Sequence, residues 1–240
     1  MISHKHKCIF VHIPKTAGTS IEDVIWPNPR DRTETNLWMG NVSRCFNQYQ
    51  AGGLQHLKAY QIQLEVGEKV FREYYKFSIV RNPWDRLVSL YEYARRVPVL
   101  EDFLGMNFNT EFKNFLSKIE RRSHTHWDPQ ERFVTNESGD FIVDKIIYFE
   151  NLKEEVPHLF QHLNIKVGWL KKRRPQLPHV NRVPRKHYTQ YYDSESKEWV
   201  SQYYGRDIRL FGYEFDDTVN EDLVPAKESE STALTPSERS

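Results

Sequence analysis

Residues 8–26 read CIFVHIPKTAGTSIEDVIW, and residues 76–91 read KFSIVRNPWDRLVSLY. Both stretches run from a short β-branched and aromatic segment through a tight polar turn into residues with helical periodicity. Residues 7–13, bounded by Pro14, predict a buried strand. PKTAGTS (14–20) follows as a loop, and SIEDVIW starts a helix that Pro27 and Pro29 stop. Thr19 or Ser20 is positioned to cap it, and Glu22 and Asp23 then fall in a first turn that favours acids. In the second stretch, residues 76–80 predict a strand and Asn82-Pro83 a turn. Leu87, Leu90, Tyr91 and Ala94 mark the apolar stripe of a helix.

The rest of the chain continues the alternation. Residues 65–75 and 109–120 have helical character, and DKIIYFE (144–150) reads as a third strand. It leads into LKEEVPHLFQHL (152–163), where Pro157 marks an early turn or a kink, and SESKEWVSQYYG (194–205) is a last helix ended by Gly205. Strands alternating with helices predict an α/β fold with a central parallel sheet flanked by helices. One domain through residue 217 fits a chain of 240 residues. Residues 218–240 lack aromatics and are rich in Ser, Thr, Pro and acids, so they read as a disordered tail.

Composition narrows the function. A 38% hydrophobic content supports a buried core, and a formal net charge of +1 argues against a protein that coats nucleic acid. Cys8 and Cys45 are too few for a disulfide framework and lack metal-ligand spacing; Cys8 reads as a buried hydrophobe. No segment approaches the roughly 18–20 apolar residues that span a bilayer, and the N-terminal stretch lacks signal-peptide features. The expectation is a soluble cytoplasmic protein with no transmembrane segment; its oligomeric state is left open.

In a parallel sheet, ligands bind beyond the carboxyl ends of the strands, where helix N-termini offer free N–H groups. PKTAGTS falls at such a place. Gly18 lets the backbone approach an anion, Thr16, Thr19 and Ser20 add hydroxyls, and Lys15 adds charge. The lysine precedes the glycine by three, whereas a Walker loop needs it directly after, so no Walker A motif is present. Alone, the loop reads equally well as an ordinary strand-to-helix turn. Arg81, at the carboxyl end of the second strand, would emerge from the same sheet edge as Lys15, and Ser89 lies two helical turns further on.

Together, FVHIPKTAGTS and FSIVRNPWDRLVSLY resemble the two nucleotide-binding segments of sulfotransferases that use 3′-phosphoadenosine 5′-phosphosulfate (PAPS), nearest the carbohydrate O-sulfotransferase branch of heparan and chondroitin enzymes. The resemblance continues through FENL (149–152), PHVNRVPRKHYTQYY (178–192) and DIRLFGYEF (207–215). It implies a single P-loop-like, three-layer domain that moves a sulfuryl group from PAPS to an acceptor hydroxyl on a carbohydrate, without a metal. It assigns Lys15, Thr16, Ala17, Gly18, Thr19 and Ser20 to the 5′-phosphosulfate, with Lys15 at the leaving oxygen. Arg81 and Ser89 go to the 3′-phosphate. The family's closing loop falls at residues 182–186, which makes Arg182, Arg185 and Lys186 cofactor contacts.

The acceptor hydroxyl needs a base. His56, in GGLQHLKAYQI, lies between the two loops, where related enzymes carry their catalytic histidine. His12 reads as a packed core histidine, and His124 and His126 as a polar-aromatic stretch facing an acceptor or an ordinary loop. Lys166 to His187 contains eight Lys or Arg and no acid, a solvated face or an attraction for a polyanion. Two other classes stay in play: a non-catalytic nucleotide- or polyanion-binding protein of the same fold, and a P-loop kinase.

Overall fold

Among the described residues, four strands form one sheet in the order β1 (Ile2–Ser3), β2 (Cys8–Val11), β3 (Tyr75–Val80), β4 (Lys145–Tyr148). The computed structural model describes residues 1–28, 30, 32–38, 54–165 and 185–216. Strands β2, β3 and β4 are parallel, with Phe10 opposite Phe77 and Ile79 opposite Ile147. The expected all-parallel sheet needs one correction: β1 pairs antiparallel with β2, Ile2 opposite Ile9, so the sheet is mixed. Only a tight turn, with Lys7 at φ 48°, separates the two strands. So short a connection returns the chain antiparallel, because a parallel return needs a long crossover.

Alternation along the strands splits the sheet's side chains between two cores. Cys8, Phe10, Phe77, Ile79 and Ile147 pack with Ile21 and Ile25 of α1 (Gly18–Ile25) and Val156, Leu159 and Phe160 of α7 (Leu152–His162). Ile9, Val11 and Val80 pack with Ile62 and Phe71 of α2 (Ala59–Glu73), Phe133 of α6 (Glu131–Val134) and Phe211 of α9 (Gly205–Phe211). Helices therefore cover both faces. A third core is helical. The expected stripe of α3 (Pro83–Ala94), namely Leu87, Leu90, Tyr91 and Ala94, meets Leu104 of α4 (Pro98–Leu104), Phe115 of α5 (Phe112–Glu120) and Val200 of α8 (Ser194–Tyr203).

Helix boundaries move for local reasons. Helix α2 begins before the anticipated stretch and is kinked at Gly67, whose φ of 78° hides two helical pieces behind one weak period. Gly205 opens α9 rather than ending the chain's last helix, and Gly212, at φ 67°, supplies the left-handed stop. The two site helices start differently. Asn82 caps α3, its side-chain oxygen accepting from the amides of Trp84 and Asp85. Helix α1 begins after Ala17, itself left-handed at φ 69°, with no side-chain cap, so Thr19 and Ser20 lie inside the helix. The acids move accordingly. No acid falls in the first turn, and Glu22 is buried against His12 rather than placed at the dipole. Residues 218–240, read as a tail, and Cys45 lie outside the described residues.

Candidate active site

Adjacent parallel strands bring both turns to one edge. Ser78 donates from its hydroxyl to the Val11 carbonyl at 2.7 Å, locking β3 to β2 just below the loops. Above it, Arg81 donates from Nη1 to the Lys15 carbonyl at 3.0 Å, so the second turn reaches directly into the first. The guanidinium also grips Asp85 through Nε (2.8 Å) and Nη2 (2.6 Å), one turn along α3, and lies 4.0 Å from the centre of the Phe149 ring. Its peptide is bracketed by Gln130, which accepts from Arg81 N at 2.9 Å and donates to Arg81 O at 2.8 Å. Asp207, fully buried, fixes that segment by accepting from the amides of Gln130 and Glu131, each at 2.8 Å.

Arg185 joins the cluster by an ion pair to the other oxygen of Asp85. Burial raises the Asp85 pKa, but Arg81 and Arg185 pull it further the other way, leaving it below the usual carboxylate range. Among the described residues, Arg185 Nη1 is buried without a hydrogen-bond partner, a cationic N–H with unused capacity at the site. Lys186 and Arg185, with Glu92, Arg95, Arg96 and Tyr191, line a cavity of about 420 Å³.

Lys15 adopts a left-handed backbone (φ 69°), and its ammonium sits 3.9 Å from the centre of the Tyr93 ring. Burial first, then the positive charges of Arg81 and Arg185, bring its pKa from 10.5 to about 8. Thr16 is fully buried and donates to the Ile13 carbonyl at 2.8 Å, which spends its hydroxyl proton on the turn itself. Gly18 touches His12 so closely that an added Cβ would fall 2.0 Å from its Nε2.

Histidines line the other side of Lys15. His56 is 7% exposed, and its Nδ1 donates to the His12 carbonyl at 3.1 Å. That bond leaves Nε2 as the basic nitrogen. Its ring lies 4.6 Å from that of His12 and 5.3 Å from that of His126. Burial, with His12 and His126 adding to it, holds the His56 pKa well below 6.5. His126 is depressed in the same way by burial, His124 and Lys15, and its ring runs parallel to that of Tyr93 at 6.3 Å. His12, a buried core histidine as expected, has Nδ1 2.7 Å from Glu22 Oε1.

Of the expected site residues, Lys15, Thr16, Ala17, Gly18, Thr19 and Ser20 form one continuous turn and helix start, with Arg81, Arg185 and His56 beside it. Ser89 lies on α3, partly exposed, one turn beyond Asp85; Arg182 lies outside the described residues. Asp85, Arg86, Tyr93 and Gln130 were missed. The i,i+4 spacing of Arg81 and Asp85 was a readable signal, whereas nothing local marks Gln130, which arrives from another element. Among the described residues, no group of three His, Cys, Asp or Glu is arranged to hold a metal. Nor is any helix among them long and apolar enough to cross a membrane.

The chain is similar to an uncharacterized protein of Archaeoglobus fulgidus, 30% identical over 115 residues that cover 45% of this chain and 83% of that protein. It is also similar to carbohydrate sulfotransferase 10 of Xenopus laevis, 22% identical over 88% of this chain; the match spans 66% of that longer protein. No solved structure matches significantly. A family model described as "Sulfotransferase family" matches residues 1–214, which takes in both loops, all four strands and the histidine cluster, and on that match the chain belongs to the sulfotransferase family.

Proposed function

We propose that the chain transfers a sulfuryl group from PAPS to a hydroxyl of a carbohydrate acceptor. The observation that carries the reading is the Arg81–Lys15 hydrogen bond, which places two cationic turns side by side at the carboxyl edge of β2 and β3. A donor with phosphate at both ends of its ribose needs two such anion sites. The first is the turn of Lys15, Thr16, Ala17, Gly18, Thr19 and Ser20, for the 5′-phosphosulfate. The second is Arg81 and Ser89 with Arg185 and Lys186, for the 3′-phosphate. The unpartnered Nη1 of Arg185 supports the second assignment.

Bound donor supplies the SO₃ group and an anionic leaving phosphate. Lys15 places its ammonium where negative charge develops on the leaving oxygen. His56, neutral at pH 7 because its pKa is depressed, takes the acceptor proton at Nε2 while Nδ1–H stays on the His12 carbonyl. The similarity to a carbohydrate sulfotransferase supports a sugar acceptor. One domain through residue 217 and a cytoplasmic site of action belong to the same reading.

The test is ligand-linked melting followed by transfer. The product nucleotide, 3′-phosphoadenosine 5′-phosphate (PAP), is expected to raise the melting temperature where ATP does not. Label from PAPS is expected to appear in a glycan of an acceptor panel. Stabilisation by ATP alone would point to a kinase, and PAP binding without transfer to any acceptor would point to a binding protein.

A further inference from the structure

Arg86 follows the Arg81 turn on α3, is 3% exposed, and its charge has no place in the proposed reaction. It donates from Nε to the Pro14 carbonyl at 3.0 Å, from Nη1 to the Asp128 carbonyl at 3.0 Å, and from Nη2 to the His126 carbonyl at 3.1 Å. All three acceptors are backbone oxygens. Pro14 immediately precedes Lys15, and His126 carries the ring beside Lys15 and His56. We infer that Arg86 is a positioning residue that holds the Lys15 turn and the His126 segment at one fixed separation.

Stability alone does not account for such a residue. Stripping water from a guanidinium is costly, and an apolar side chain of similar volume commonly serves a core as well or better. What an apolar replacement cannot supply is three directed donors in a rigid plane. Each of the nitrogens Nε, Nη1 and Nη2 has its own acceptor, so the plane has no free rotation between the two segments.

Two further links close a ring around the same atoms. Lys58, two residues after His56, bonds Asp128 through its side chain at 2.9 Å. His56 is itself tied to the His12 carbonyl at 3.1 Å. Residues 12–15, 56–58 and 126–128 are remote in sequence, and these contacts connect them pairwise. The Arg86 link sets the Lys15-to-His126 edge of that ring. Tyr93 lies between the two, with the Lys15 ammonium on its face and the His126 ring parallel to it.

The catalytic meaning of this spacing rests on the sulfuryl-transfer reading, while the positioning does not, so the primary readout uses neither donor nor acceptor. The titration of the Lys15 amine is followed by competitive acylation and mass spectrometry across pH. The groups facing it are Arg81, Arg185, His126 and Tyr93. In wild type the midpoint is expected near 8. In Arg86→Lys and Arg86→Met, which cannot span three carbonyls, the turn relaxes towards solvent. The midpoint then rises by at least one unit, and the His126 ring proton shifts in NMR spectra. Asp128→Asn weakens the Lys58 pair but keeps the Arg86–carbonyl bond, and should leave the Lys15 midpoint in place.

With transfer established, Arg86→Lys is expected to lower kcat about 100-fold, the typical cost of a misplaced reacting group, with the donor KM within about threefold. Unchanged Lys15 and His126 signals in a folded Arg86 variant overturn the inference. So does an equal shift in Asp128→Asn, and so does failure of both Arg86 variants to fold, since each would make the residue merely structural. A failure of sulfuryl transfer with the expected Lys15 shifts would instead overturn the reaction and leave the positioning intact.

Discussion

Lys15 sits where burial and two guanidinium groups all disfavour its charge, and this sets how its pH dependence should look. The free protein loses the ammonium as pH rises through about 8. Because kcat/KM for the donor reports free-enzyme groups, its alkaline limb is expected near that value, while kcat, measured with phosphates bound, should fall only at higher pH. Stability follows with the opposite sense. An unfolded lysine keeps its proton to about 10.4, so between roughly pH 8 and pH 10 the unfolded chain binds more protons and this group's contribution to stability rises with pH. Lys15→Ala should lower kcat by about 10²–10³, the range for losing one charge-stabilising donor, and weaken PAP binding less than about fivefold. Steady-state kinetics beside calorimetry checks both, and a large loss of affinity with intact turnover would make Lys15 a binding residue only. The positions of Lys15, Arg81 and His56 were readable because their type, and their place after a strand or between two such loops, mark them for the proposed chemistry. Tyr93 was not, since its place beside Lys15 appears only once α3 is wound and laid against the first turn.

At the scale of elements, the start of α1 shows why the first loop was legible in outline and misread in detail. A strand, a Gly-containing turn and a helix were all visible, but the helix starts after the left-handed Ala17 with no side-chain cap, and the partner of Glu22 is His12, which packs across the turn. Gly18 is required there by space rather than by backbone angle: a methyl group would overlap the His12 ring, with 2.0 Å to Nε2 and 2.1 Å to Cδ2. His12 cannot yield freely, because its ring is stacked on Phe10 and faces Glu22. Gly18→Ala is therefore expected to destabilise by about 1–3 kcal/mol, the usual cost of overpacking, seen as a lower urea midpoint with an unchanged slope. It should also weaken PAP binding, since the displaced helix start carries the amides proposed to face the 5′-phosphate. A neutral change in midpoint would mean that the His12 ring has an alternative seat. Strand β1 and helix α9 escaped sequence reading for a different reason. Two residues carry no periodicity, and the glycine that opens α9 has the same signature as a stop.

Across the whole molecule, the proposed donor site falls on a seam. Lys15 rises from the sheet with its two flanking cores, whereas Ser89 and Tyr93 belong to α3, which packs into the separate helical core. Arg81, Arg86 and Gln130 bind the halves together, and Asp207 extends the link to α9. A nucleotide contacting both turns adds a further clamp across that seam. At 100 times its Kd it contributes about 2.7 kcal/mol to the folded state, which for a domain of this size raises Tm by roughly 5–10 °C. If the clamp spans the seam, hydrogen exchange should slow on both sides of it, in β2 and β3 and in α3 and α5 together, by a similar factor. Protection confined to the sheet would place the nucleotide on the first turn alone and remove Arg81 and Ser89 from the donor site.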